Sequence, residues 1–71
     1  MAHFAYVHHK LMRMIVQDDQ GNKELDVPLR ETISLRSESV QTLKDNGFLM
    51  AGRWNDVSDY SYAEVKKDKG R

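Results

Sequence analysis

Hydrophobic and polar residues alternate most regularly over residues 24–30. Apolar side chains occupy every second position there: Leu25, Val27 and Leu29. A turn-forming segment at residues 18–22 precedes them, and residues 12–16 provide apolar positions for a partner strand. The pattern predicts an antiparallel hairpin. Because Pro28 cannot donate a ladder hydrogen bond, we expect the second strand at or near a sheet edge.

Residues 3–17 also indicate extended chain, but their apolar side chains fall on both faces. Phe4 and Tyr6 would lie on one face and Val7 on the other. Such a strand is either covered on both sides or changes face at an irregularity, and the polar residues 8–10 predict a bulge or a turn. This two-faced N-terminal strand is also where two copies could pair, so a homodimer is a prediction of the sequence.

One segment carries helix signals at both ends, and it predicts a short helix over residues 37–46. Ser37 is suited to be the N-cap, because its hydroxyl can accept a hydrogen bond from the first turn. Gly47 can take the left-handed conformation that ends a helix, and Phe48 is placed to contact Leu43. A helix this short is marginal alone in water, so we expect it to pack on a sheet.

The residues after the helix indicate a second hairpin. Residues 48–54 predict a strand, residues 55–58 a turn, and residues 60–65 a partner strand with two tyrosines on one face. A helix beginning at Ser58 is the alternative, because several of the residues that follow favour helix. The last residues, 66–71, have no apolar side chain and predict a frayed basic tail.

These elements predict a single α+β domain over residues 1–65. In this architecture a hairpin, a helix and a second hairpin follow one another in ββαββ order. The result would be one antiparallel sheet with the short helix packed on one face. A chain of 71 residues can bury only just enough apolar surface to fold alone, and a second copy would supply more.

Composition narrows the classes of function. Eleven basic residues balance eleven acidic ones, whereas a strongly basic nucleic-acid binder would show an excess of positive charge. The chain has no cysteine, which excludes disulfides and thiolate zinc sites within it. The apolar run at residues 14–16 is too short for a signal-peptide core or a membrane span, so we expect a cytoplasmic protein without membrane contact.

No catalytic spacing is present in the sequence, so we expect neither enzyme activity, nor a cofactor, nor a metal site. His3, His8 and His9 are poorly spaced as metal ligands on a strand. Acidic residues surround the first predicted turn, where carboxylates commonly serve solubility alone. Asp18 and Asp19 could instead form an acidic contact for a basic partner.

Aromatic and basic residues concentrate in the C-terminal third. The predicted protein-binding residues are Arg53, Trp54, Tyr60, Tyr62, Asp18 and Asp19, because tyrosine, tryptophan and arginine are enriched at interface hot spots. An alternative prediction is nucleic-acid binding, in which rings stack on bases and cations contact phosphates. Its residues are Arg53, Trp54, Lys66, Lys67 and Lys69. Without either function, these residues would be core, a half-buried strand face and a solvated tail.

A second route to nucleic acid comes from residues 32–36, which alternate before the predicted helix. This strand-to-helix start resembles ribbon-helix-helix repressors. The resemblance implies that Thr32, Ser34 and Arg36 read the major groove from a two-stranded ribbon formed by a dimer. It covers about a fifth of the chain, and the residues after Gly47 indicate extended chain where the family has its second helix.

The leading hypothesis from the sequence is a small non-catalytic module that binds another protein. An accessory or inhibitory role is the expectation, since short cysteine-free chains of this kind are common among phage and mobile-element accessory proteins. That comparison concerns size and composition alone.

Overall fold

The computed structural model describes residues 2–30 and 35–68, which form one antiparallel sheet and one helix. In chain order the elements are β1 (His3–His8), β2 (Arg13–Asp18), β3 (Lys23–Pro28), α1 (Leu35–Asp45), β4 (Phe48–Met50), β5 (Asn55–Val57) and β6 (Tyr60–Lys67). The strand order across the sheet is β3-β2-β1-β6-β4, and β5 also pairs with β6.

The predicted ββαββ order is wrong, because three strands precede the helix and three follow it. A turn at residues 9–12 divides the N-terminal stretch into β1 and β2, which pair with Ala5 opposite Val16. Met12 closes this turn with a left-handed φ of 54°, and its N–H donates to the carbonyl of His8 at 2.9 Å. The polar residues 8–10 predicted a bulge or a turn, and this turn confirms it, although neither glycine nor asparagine marks its left-handed position.

The second hairpin also differs from its prediction. Ala51 and Gly52 both donate their N–H to the carbonyl oxygen of Glu64, at 2.9 and 3.1 Å. Two donors on one acceptor form a β-bulge, which ends β4 early and separates it from β5. The predicted turn at residues 55–58 is therefore wrong, since Asn55–Val57 is a strand and the turn falls at residues 58–59.

β6 is a strand, as predicted, and the alternative helix from Ser58 is wrong. Tyr60 and Tyr62 share one face of it, and the other face is buried, which confirms the predicted alternation. Lys66 and Lys67 are its last two residues, although we expected them in a frayed tail. The remaining tail prediction, residues 69–71, lies outside the described residues.

β1 lies in the interior of the sheet, between β2 and β6. Both of its edges are hydrogen-bonded, so the predicted homodimer contact through the N-terminal strand would have to break an existing ladder. β3, which carries Pro28, is at one end of the described sheet, and the expected edge position is confirmed.

The helix packs on one face of the sheet and closes the core. It begins at Leu35, two residues before the predicted start, and Leu43 is 1% exposed. Gly47 follows it with a φ of 87°, which confirms the predicted helix end. The core contains the following buried apolar residues: Ala5, Val7, Met14, Val16, Leu29, Leu43, Phe48 and Val65.

Candidate functional site

The sheet face opposite the helix carries half-buried side chains from three strands, most of them aromatic or apolar. They are Phe4, Tyr6 and His8 of β1, Ile15 and Gln17 of β2, and Tyr60 and Tyr62 of β6. Alternation places them here, because their neighbours along each strand are buried on the other face of the sheet. We call this surface the open face, since the only described helix packs on the other side.

Four rings at its centre pack against one another: Tyr6, His8, Tyr60 and Tyr62, which we call the ring cluster. The register sets Tyr6 beside Tyr62 and His8 beside Tyr60 on adjacent strands. Ring centroids are 5.9–6.2 Å apart, and the planes are tilted by 31–53°. These separations lie in the favourable range for aromatic pairs. A shallow depression of about 210 Å³ lies between the cluster and β2.

Charged residues of both signs border the ring cluster. The Arg13 guanidinium contacts the Asp26 carboxylate at 2.8 Å, and the Lys23 ammonium contacts its other oxygen at 3.3 Å. The hydrogen bond from Arg13, followed by that from Lys23, lowers the pKa of Asp26. Glu64 and Lys66 are exposed further along β6. The open face is therefore mixed in charge and not basic.

The structure does not bring the predicted protein-binding residues together. Tyr60 and Tyr62 lie on the open face, as part of the ring cluster. Trp54 follows the β-bulge and packs against the core on the helix side, and Arg53 beside it is exposed. Sequence reasoning placed these residues in one surface because it did not foresee the bulge.

The two residues of the predicted acidic contact, Asp18 and Asp19, have different environments. Asp19 is exposed at the β2–β3 turn, whereas Asp18 is buried. The Asp18 carboxylate accepts hydrogen bonds from the N–H of Asn22 and of Gln20, both at 2.9 Å, and from the Asn22 amide at 3.1 Å. These bonds, led by the Asn22 N–H, lower the pKa of Asp18. Asp18 therefore holds the turn together, and Asp19 alone is available to a partner.

A polar network closes one end of the sheet on the helix side. His3 is buried, and its Nε2 lies 3.1 Å from Oε2 of Glu24. The Lys67 ammonium contacts the other oxygen of Glu24 at 3.3 Å. Hydrogen bonding to His3, and then to Lys67, lowers the pKa of Glu24. Within residues 2–30 and 35–68, no group of three or more His, Asp or Glu side chains is arranged to hold a metal ion.

A serine, a histidine and an aspartate meet at the opposite end of the sheet. Ser61 donates its hydroxyl to Asp56 at 2.6 Å, and Nε2 of His9 lies 2.8 Å from the same hydroxyl oxygen. In a hydrolytic triad the histidine stands between the hydroxyl and the carboxylate, whereas here the serine does. The contact therefore fastens the turn after β1 to the β5–β6 hairpin and provides no activated nucleophile.

The residues of the nucleic-acid alternative are dispersed as well. Lys66 lies on the open face, but Lys67 is paired with Glu24 on the other side. Arg53 and Trp54 are on the helix side, and Lys69 lies outside the described residues. The ribbon residues Thr32 and Ser34 are likewise outside the described range. Where the repressor family has its second helix, the chain forms β4.

Sequence reasoning missed Tyr6, His8 and Phe4 as site residues. Their alternation along β1 could have indicated that they share one face. That this face joins the tyrosines of β6, however, depends on the pairing of β1 with β6.

No family model, curated protein or solved structure matches the chain. Among the described residues, no helix is long and apolar enough to cross a membrane.

Proposed function

We propose that the chain is a small non-catalytic module that binds another protein through its open face, in an accessory or inhibitory role. The observation that carries the proposal is the ring cluster, four packed rings on the sheet face that the described helix leaves uncovered. Tyrosine provides a large, rigid contact area at low entropic cost, and its hydroxyl can hydrogen-bond at the rim of an interface.

The charges around the cluster favour a protein partner over a nucleic acid. A phosphate-binding surface needs cations that are available to the backbone, but Arg13 and Lys23 both contact Asp26. A mixed rim around an aromatic centre is the usual composition of a protein interface. Asp19, exposed at the β2–β3 turn, adds an acidic contact for such a partner.

The proposal can be tested with the double variant Tyr6→Thr, Tyr62→Thr. Threonine keeps the strand preference but removes both rings, so we expect partner affinity to fall by at least about tenfold. The full chain, immobilised in wild-type and variant form, would capture partners from the cells that produce it, and calorimetry would then measure affinity. Gln41→Ala, on the exposed side of the helix, is the matched control.

Circular dichroism must first show that the double variant is folded. If it is folded and still captures the same proteins with unchanged affinity, the open face is not the binding surface.

Nucleic-acid binding is the alternative proposal, and the ring cluster supports it because bases stack on rings of a sheet face. It predicts that fluorescence anisotropy detects binding to a single-stranded oligothymidine. The affinity should fall steeply between about 50 mM and about 200 mM salt, as counterions are released. Absent or salt-insensitive binding would remove this alternative.

A further inference from the structure

We infer that the helix side of the sheet carries a second binding site, which takes the carboxyl terminus of a peptide whose last residue is apolar. The site is a shallow cleft of about 460 Å³ between α1 and the β-bulge, which we call the Trp54 cleft. Its lining consists of Val40, Met50, Gly52, Arg53 and Trp54. It lies on the opposite side of the sheet from the ring cluster and is independent of it.

Two of the residues that line the Trp54 cleft have donors without an acceptor. Arg53 is exposed, and its guanidinium makes no ion pair or hydrogen bond with the part of the chain that the structure describes. The indole Nε1 of Trp54 is the one buried side-chain nitrogen or oxygen of the described residues without a hydrogen-bond partner. Burying an N–H without an acceptor costs free energy, because the group has lost its hydrogen bonds to water. A ligand acceptor that reaches this N–H therefore gains a hydrogen bond without displacing an existing one.

The chemistry of the cleft selects an anion that carries an apolar group. A guanidinium binds a carboxylate through two parallel hydrogen bonds, and the indole N–H can donate to the same anion once the ring moves and uncovers it. Val40, Met50 and the indole ring provide an apolar floor. Charge complementarity therefore favours a carboxylate, and the floor favours an apolar side chain next to it.

A chain terminus satisfies both demands within one residue. The last residue of a peptide has its carboxylate and its side chain on the same Cα. If that residue is apolar, its carboxylate can meet the donors while its side chain contacts the apolar floor. An internal Asp or Glu has a carboxylate but no apolar group of its own.

The single tryptophan of the chain makes the site directly observable. Its indole N–H gives one resonance in a ¹H–¹⁵N spectrum, and that resonance shifts when an acceptor approaches. Because Nε1 is enclosed in the unbound protein, binding requires a small movement of the ring, which also moves the resonance.

The experiment titrates the ¹⁵N-labelled full chain with four probes: N-acetyl-leucine, N-acetyl-leucinamide, acetate, and N-acetylglutamic acid α-amide. We expect a saturable shift of the indole resonance with N-acetyl-leucine and a much weaker effect with the other three. Arg53→Gln should weaken N-acetyl-leucine binding about tenfold, because it removes a charge-assisted hydrogen bond. Lys66→Gln removes one positive charge from the open face and should leave binding unchanged.

Several outcomes would overturn the inference. An equal response to the amide would show that the carboxylate is not recognised, and an equal response to acetate would reduce the site to a general anion contact. A stronger response to the glutamic acid amide would assign an internal acidic side chain instead. No indole shift with N-acetyl-leucine, or equal effects of Arg53→Gln and Lys66→Gln, would remove the site. Each of these results leaves the test of the open face unaffected.

Discussion

Asp18 shows how one carboxylate can organise a turn. It accepts two backbone N–H groups and a side-chain amide from the segment that joins β2 to β3. Gly21, with a φ of 85°, lets the chain reverse inside this network. The charge of Asp18 is therefore engaged in holding a hairpin, which is why an acidic pair in the sequence does not translate into an acidic surface.

This role predicts how stability depends on pH. The folded-state pKa of Asp18 lies below its ordinary value of 3.8, so the unfolded chain binds a proton more readily than the folded one. The stabilisation is present above about pH 4 and is lost as the pH falls further. Urea midpoints measured between about pH 6 and about pH 2.5 should fall less steeply for Asp18→Asn than for the wild type.

Asp26 and Glu24 also have lowered pKa values, so the variant should keep part of the acid dependence. Parallel curves for the variant and the wild type would contradict the role given to Asp18.

At the scale of elements, the helix depends on its ending as well as on its packing. Gly47 takes a φ of 87°, and its N–H donates to the carbonyl of Lys44 at 3.1 Å. A Cβ built at Gly47 would contact nothing within 4 Å, so the demand for glycine there is conformational and not steric. The next strand, β4, starts directly afterwards and places Phe48 in the core.

A pair of glycine substitutions tests this ending. Gly47→Ala should lower the free energy of unfolding by about 1 kcal/mol, because alanine disfavours the left-handed conformation. Gly52→Ala should change it by less than about 0.5 kcal/mol, since Gly52 has no positive φ and its added Cβ would meet Glu64 at an ordinary 3.6 Å. Urea denaturation of both variants provides the comparison, and equal losses would contradict the account of the helix end.

The sequence predicted elements where local signals were strong. The alternation over residues 24–30 and the turn before it predicted the β2–β3 hairpin, and Gly47 predicted the helix end. The polar residues 8–10 gave the turn between β1 and β2, but two details escaped prediction because they have no distinctive residue. Met12 occupies a left-handed turn position, and the bulge at Ala51 and Gly52 depends on sharing one carbonyl of β6. Such features are decided by pairing between strands and not by local preference.

At the scale of the whole molecule, the pairing of β1 with β6 creates the candidate site. It joins the two ends of the described chain, with Ala5 opposite Ala63, and thereby brings Tyr6 beside Tyr62. With β2 on its other side, both edges of β1 are occupied, so β1 has no free edge for pairing with a second copy. No local pattern specifies a contact between strands as far apart in the sequence as β1 and β6. The candidate site could therefore be predicted only in part, through the two tyrosines of β6.

The helix covers one face of this sheet, and the ring cluster lies on the other. Trp54 and Tyr60 are close in sequence, but Trp54 packs against the core on the helix side, whereas Tyr60 belongs to the ring cluster on the open face. The molecule thus offers two separate surfaces, one aromatic with a mixed rim and one an apolar cleft with an available guanidinium.

The most direct test of the open face is site-specific photo-crosslinking with benzoylphenylalanine in place of Tyr62, compared with the same residue in place of Gln41. Both variants keep the full chain, and position 62 is on the open face whereas position 41 is exposed on the helix. We expect irradiation in the producing cells to yield a discrete adduct with another protein from position 62 and none from position 41. The same adduct from position 41, with none from position 62, would contradict the account.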